Sequence, residues 1–206
     1  MATFTFRDFL NYKVRLDESI RKEENVFFLN ESFIHAAMVM KTLIEKSKRE
    51  KTPINMYCGK FSLFRDGAKR KIDKIKEEIK ETVAEDEQQE FATFDPYGDL
   101  IKSFYEFMDD GGKLNLIVAK SLDGIQDELI WPKLKEYIDC NKCVVKKLNI
   151  SIDLDHFVVS GNSFRKENSD EEKTAICSFY NQEVAVVLSN TFEILKNFSS
   201  KYQFAN

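Results

Sequence analysis

Cysteine, histidine and glycine are scarce in this chain of 206 residues, with four, two and seven copies, and each shortage removes a class of function. Cys58, Cys140, Cys143 and Cys177 are too few for a disulfide framework and lie in or beside predicted core elements, so reduced thiols are expected. Cys140 and Cys143 form a C-x-x-C, but a structural zinc site takes four ligands, and there is no second cysteine pair or nearby histidine pair. The motif also closes a predicted helix instead of opening one after a strand, which argues against a redox pair. No metal and no cofactor is expected. Long apolar runs are missing too: nothing approaches the roughly 20 residues that a bilayer span needs, and Met1 to Leu10 alternates phenylalanine with polar residues. A cytoplasmic protein without a membrane partner is the expectation. The net charge of -4 gives no global attraction to polyanions, so any contact with nucleic acid must come from a local basic patch.

Apolar and aromatic residues, by contrast, are abundant, at 43% and 13% with 18 phenylalanines, beside 32% charged residues. That balance describes a well-packed chain with a solvated exterior. The length fits one domain over 1–206, with an N-terminal arm and helix in 1–50 and an α/β core in 51–206.

The arm opens with Phe4, Phe6 and Phe9, then the charged stretch Arg15 to Glu24, then Val26 to Leu29; it reads equally well as a strand or a partner-facing arm. Asn30 or Ser32 can cap a helix carrying Phe33, Ala37, Met40 and Ile44 on one face, which closes in the basic run Lys46 to Lys51 before Pro53. Ile54 to Cys58 is a buried strand by composition, ended by Gly59. A long charged helix is expected from about Asp66 to Glu87, with Ile72, Ile75, Ile79 and Val83 as its apolar stripe. The turn Asp95-Pro96-Tyr97-Gly98 precedes a helix stopped by Gly111-Gly112. Leu114 to Ala119 is the next strand, Glu128 to Asp139 a helix and Val144 to Ile150 a third strand. Three short strands follow, His156 to Ser160, Ser163 to Glu167 and Thr174 to Tyr180, joined by Gly161-Asn162 and by the polar stretch Asn168 to Lys173. A last helix from Gln182 repeats Val184, Val187, Leu188, Thr191, Phe192, Leu195 and Phe198 at helical spacing.

The order strand, helix, strand, helix, strand, hairpin and closing helix resembles one half of a phospholipase D-like enzyme, whose mixed sheet is covered by helices on both faces. The residues that carry the resemblance are Ile54-Asn55-Met56-Tyr57-Cys58-Gly59-Lys60-Phe61-Ser62, Leu114 to Ala119, His156 through Glu167, and then Ala175, Phe179, Glu183, Leu188 and Phe192-Glu193, together spanning about residues 50 to 200. Active members of that family carry H-x-K-x4-D, in which the histidine attacks phosphorus and the lysine neutralises the phosphate. Here Val158 follows His156 where the lysine would stand, and Ser163 where the aspartate would stand. Matching Gly161-Asn162 to the family's hairpin turn instead shifts His156 by an odd number of positions, toward the other face of the sheet. The resemblance implies a catalytically degenerate phospholipase D-like domain serving as a binding or assembly subunit. It also implies a homodimer through a symmetric interface, and a protein or nucleic-acid partner of the kind found in bacterial nucleic-acid-handling and defence systems.

Two sets of residues are candidates for chemistry. His156 beside Asp155 has the composition of an oriented acid–base histidine, with Glu167 as its partner; a locally hydrogen-bonded strand-end histidine is the plainer reading. Ser160, Asn162, Arg165 and Lys166 cluster around the same hairpin and offer phosphate-binding groups, although hairpins are polar for solvent reasons alone. Together they define an alternative function, a metal-independent phosphodiesterase or nuclease with His156 as nucleophile, Glu167 as its acid–base partner and Arg165 or Lys166 replacing the lost lysine. The basic stretches Lys46 to Lys51 and Arg65 to Lys76 read as solvated helix faces before they read as tracks for phosphates. His35 is expected at the surface or as a cap.

Overall fold

The computed structural model describes residues 4–168 and 174–204, so most of the polar stretch expected between the last two short strands, residues 169–173, lies outside the described residues. Its centre is an eight-stranded mixed sheet built from β1 (Phe28–Asn30), β2 (Ile54–Cys58), β3 (Leu114–Val118), β4 (Cys143–Leu148), β5 (Phe157–Ser160), β6 (Ser163–Glu167), β7 (Ala175–Ser178) and β8 (Ser199–Lys201). The spatial order is β1-β7-β6-β5-β2-β3-β4-β8. β2, β3 and β4 are parallel, in the register Ile54 with Leu114 and Leu114 with Cys143. β5 lies antiparallel on the other side of β2, with Tyr57 opposite Phe157.

Helices cover both faces of this sheet, as expected, but unequally. One face carries α1 (Phe6–Lys22), α2 (Phe33–Glu50), α3 (Asp66–Ile79), α5 (Pro96–Asp109) and α6 (Trp131–Asp139), after a short α4 (Gln88–Thr93). Among the described helices only α7 (Gln182–Asn197) packs on the other, against Tyr57, Ile117, Phe157, Val159 and Phe164. Strand alternation divides the sequence between the two cores: Ile54 and Met56 face the large cluster and Tyr57 the small one, and Val158 and Phe157 divide the same way. At about 25 cal/mol per Å² of apolar surface buried, this two-sided burial is the main stabilising contribution.

Local chemistry sets the helix ends. Thr5 and Asp8 form a capping box on α1, Ser32 accepts from the His35 amide at α2, and Asn181 accepts from the Val184 amide at α7. α5 ends in a Schellman arrangement: Gly111 takes φ 92°, its amide donates to the Met108 carbonyl, and the Gly112 amide donates to that of Phe107.

Three expectations change. The described part of the arm forms a full helix, α1, and then the edge strand β1, because Phe6, Phe9 and Leu16 recur on one face of α1 and are fully buried. The long charged helix stops at Ile79 and continues as separate 3-10 turns at Lys80–Thr82 and Glu85–Glu87. There the Thr82 hydroxyl accepts from the Phe6 amide and Glu87 pairs with Arg7 at 2.6 Å, so contacts with α1 replace helical propagation. His35, third, is only 4% exposed. Its ring lies 4.2 Å from that of Tyr12 and against Phe4 and Phe9, and burial lowers its pKa to about 4, against a partial opposing pull from Asp8.

Two outcomes follow. His35 binds its proton more weakly folded than unfolded, so its contribution to stability is complete above pH 6.5 and is lost as the pH falls toward 4. Urea denaturation should show a loss of about 2 kcal/mol between pH 7 and pH 5, and a His35→Phe chain should lack most of that loss. A Cβ on Gly112 would stand 2.5 Å from the Phe107 carbonyl oxygen and 2.6 Å from its ring, so Gly112→Ala should lower the unfolding free energy by about 1–3 kcal/mol, read by the same method.

Candidate functional site

The chain leaves β2 toward β3 on one side and returns from β4 to β5 on the other. This makes the carboxyl end of β2 the point where the connections diverge, the place where open α/β sheets form a crevice. Cys58 ends β2 here and Gly59 and Lys60 turn away from it; Ala119 and Lys120 leave β3 alongside, their amides donating to the Cys58 and Gly59 carbonyls. His156 enters β5 next to them. Its Cε1 and Nε2 atoms lie 3.1 and 3.3 Å from where a Gly59 Cβ would be, with the Lys120 side chain 3.9 Å from the same point, so the ring rests directly on the turn where a side chain at residue 59 would crowd it.

His156 and Glu167 come together. Nδ1 of the imidazole is 2.9 Å from Glu167 Oε2, and the other carboxylate oxygen accepts from Arg165 Nη1 at 3.1 Å. Burial alone would raise the Glu167 pKa, but the hydrogen bond from His156 and the neighbouring Arg165 guanidinium outweigh it and hold the carboxyl below its ordinary value. Glu167 is therefore an acceptor, and His156 donates to it through Nδ1–H. The histidine side chain is 20% exposed and the glutamate 33%.

The other predicted residues are distributed elsewhere. Arg165 follows the alternation of β6 onto the large-core face, where its side chain is 13% exposed and its Nε has no hydrogen-bond partner among the described residues. Lys166 points to the opposite face and pairs with Asp155 at 2.7 Å. Ser160 and Asn162 sit at the far end of the hairpin, roughly 13 Å from His156 by strand rise. The Ser160 hydroxyl bonds to those of Ser47 and Thr52, and Asn162 accepts from Lys46, whose ammonium is buried between Glu50 and the Tyr180 ring. The hairpin thus separates the four proposed phosphate ligands into different environments. Val158 is 5% exposed in the large core, and the Ser163 hydroxyl donates to the Phe179 carbonyl.

Lys60 and Lys120 were the missing members of the rim: both are exposed, and each stands within two residues of the end of a parallel strand. Their position after a strand was the available signal. Among the described residues no cluster of three or more histidine, cysteine or acidic side chains could hold a metal, and no helix is long and apolar enough to cross a membrane.

No protein-family model matches the chain, and no curated protein matches its sequence. Solved structures do resemble it in fold. TrmBL2, an archaeal chromatin protein described as showing a novel mode of DNA binding, superposes with a TM-score of 0.55 at 10% identity, over 96% of this chain and 67% of that one. Nuc, a phospholipase D family member from Salmonella typhimurium, gives 0.49 at 12% identity, over 88% of this chain and 100% of its own. NucT from Helicobacter pylori gives 0.49 at 10% identity, over 87% and 99%.

Proposed function

We propose that the chain is a catalytically degenerate phospholipase D-like domain that acts as a binding or assembly subunit and engages nucleic acid at the rim beside His156. The observation that carries this reading is the composition of that rim. An oriented histidine and two exposed lysines, Lys60 and Lys120, stand at the divergence of the sheet; with His156 read as the family's histidine, its lysine and aspartate correspond to Val158 and Ser163, both buried. Such a rim can hold a phosphodiester by charge and hydrogen bonding, but it lacks the strand-borne cation that neutralises the phosphate during attack. The DNA binding described for TrmBL2, a protein of similar fold, is in keeping with it. Assembly into a homodimer, and a role in a bacterial nucleic-acid-handling or defence system, belong to the same proposal.

One observation favours a second reading. A histidine held at Nδ1 by a carboxylate 2.9 Å away is arranged as a nucleophile or general base, which would make the chain a metal-independent phosphodiesterase or nuclease.

Labelled single- and double-stranded DNA and RNA, incubated with the protein in EDTA and run on native and denaturing gels, separate the two. The binding reading expects shifted, intact nucleic acid and a weaker shift in His156→Ala. Lys60→Glu with Lys120→Glu should weaken binding and reduce the slope of log affinity against log salt by about two. Cleavage that disappears in His156→Ala would establish the nuclease instead. Absence of both shift and cleavage would overturn both readings. Sedimentation analysis tests the dimer: a monomer at micromolar concentration would remove it.

A further inference from the structure

A second basic concavity lies at the opposite end of β2. The carboxyl ends of α2 and α5 meet the start of β2 and β3 there, around a cleft of about 780 Å³ that Lys48, Arg49, Lys51 and Lys113 line together with Pro53 and the Gly111-Gly112 turn. By strand rise it is roughly 20 Å from His156, on the other rim of the sheet. Its volume falls in the range of small-ligand sites.

Charge distinguishes this cleft from an ordinary solvated helix end. Lys48 is already neutralised, 2.9 Å from Asp110 and 3.3 Å from Glu106. Arg49, Lys51 and Lys113 form no ion pair among the described residues; Arg49 has only the Tyr180 hydroxyl at 3.5 Å. The C-terminal dipoles of α2 and α5 call for about one positive charge between them, and three unpaired cations exceed that. They converge in a chain whose net charge is -4, so the local field opposes the global one. The geometry of the walls adds to this. Lys51 ends α2 in a left-handed conformation with φ 54°, and beyond its two chain neighbours no atom of the described residues lies within 4 Å of where a Cβ on Gly111 would be, so the backbone there is open to an approaching ligand.

We infer that this cleft binds the phosphate groups of a nucleotide or of a nucleic-acid chain, with Arg49, Lys51 and Lys113 as the anion-binding side chains. Pro53 and the glycine turn supply the apolar wall against which the sugar or base rests. The site is independent of the His156 rim and does not require the function proposed above.

The test is titration calorimetry with two probes, ATP and a single-stranded DNA 12-mer, at low salt and without metal ions. The expected result is saturable binding of at least one probe that falls tenfold or more in Lys51→Glu with Lys113→Glu and that persists in Lys60→Glu with Lys120→Glu. Binding of ATP identifies a nucleotide site, and binding of the 12-mer alone identifies a backbone track. Should the charge reversals unfold the chain, as judged by circular dichroism, Lys51→Gln with Lys113→Gln takes their place. No binding of either probe at 1 mM, or equal affinity in the wild-type and cleft variants, would overturn the site. Loss confined to the Lys60 and Lys120 variants would do the same, while supporting the function proposed for the other rim.

Discussion

The structure depends on β2 being paired in opposite senses on its two edges. A parallel partner, β3, obliges the chain to cross over through helices on one face, and an antiparallel partner, β5, is reached only after β4 and opens the β5–β6 hairpin. Everything of interest lies at the two ends of this strand. At its carboxyl end the diverging connections leave room for an imidazole to rest on Gly59, and at its amino end two helix termini and a proline leave a basic hollow. One strand of five residues thus separates an oriented histidine from a cluster of unpaired cations.

The large-core face is held by groups that a pattern of apolar residues does not reveal. Tyr12 donates to Asn30 at 2.6 Å inside the aromatic packing of His35, Phe9 and Phe28, and burial pushes the Tyr12 hydroxyl pKa well up. Lys46 reaches from α2 to the hairpin turn, and Thr82 reaches from the end of α3 to the start of α1. These polar ties join segments distant in sequence. On the same face the hydrogen bond from His156, with the neighbouring Arg165 guanidinium, holds the Glu167 carboxyl below its ordinary value.

Much of the sheet was legible because its strands are uniform. Ile54 to Cys58 and Leu114 to Val118 are apolar runs bounded by glycine or lysine, and the spacing from Val184 to Phe198 leaves no period but the helical one. The His156–Glu167 pair was legible for a related reason: a two-residue turn fixes the hairpin register and places residue 156 beside 167. The grouping of Ser160 and Asn162 with that pair was not sustained, since closeness in sequence to a turn is distance along a strand. α1 was hidden by the phenylalanines at 4, 6 and 9, which read as strand-like until Tyr12 and Leu16 are seen buried on the same helix face as Phe6 and Phe9. For Lys120 the one local signal is its place just after a strand. Only the parallel pairing of β2 with β3 brings it near His156.

The two outermost strands, β1 and β8, are each three residues long and lie far in sequence from the strands they cover: Asn30 pairs with Ala175, and Ser199 with Leu148. A sheet with such borders exposes few unpaired backbone groups to other chains, which limits edge-to-edge aggregation. It also means that the outer edges of β4 and β7 stay uncovered until long loops close, so the interval before β1 and β8 dock is the period in which this chain is most prone to associate wrongly.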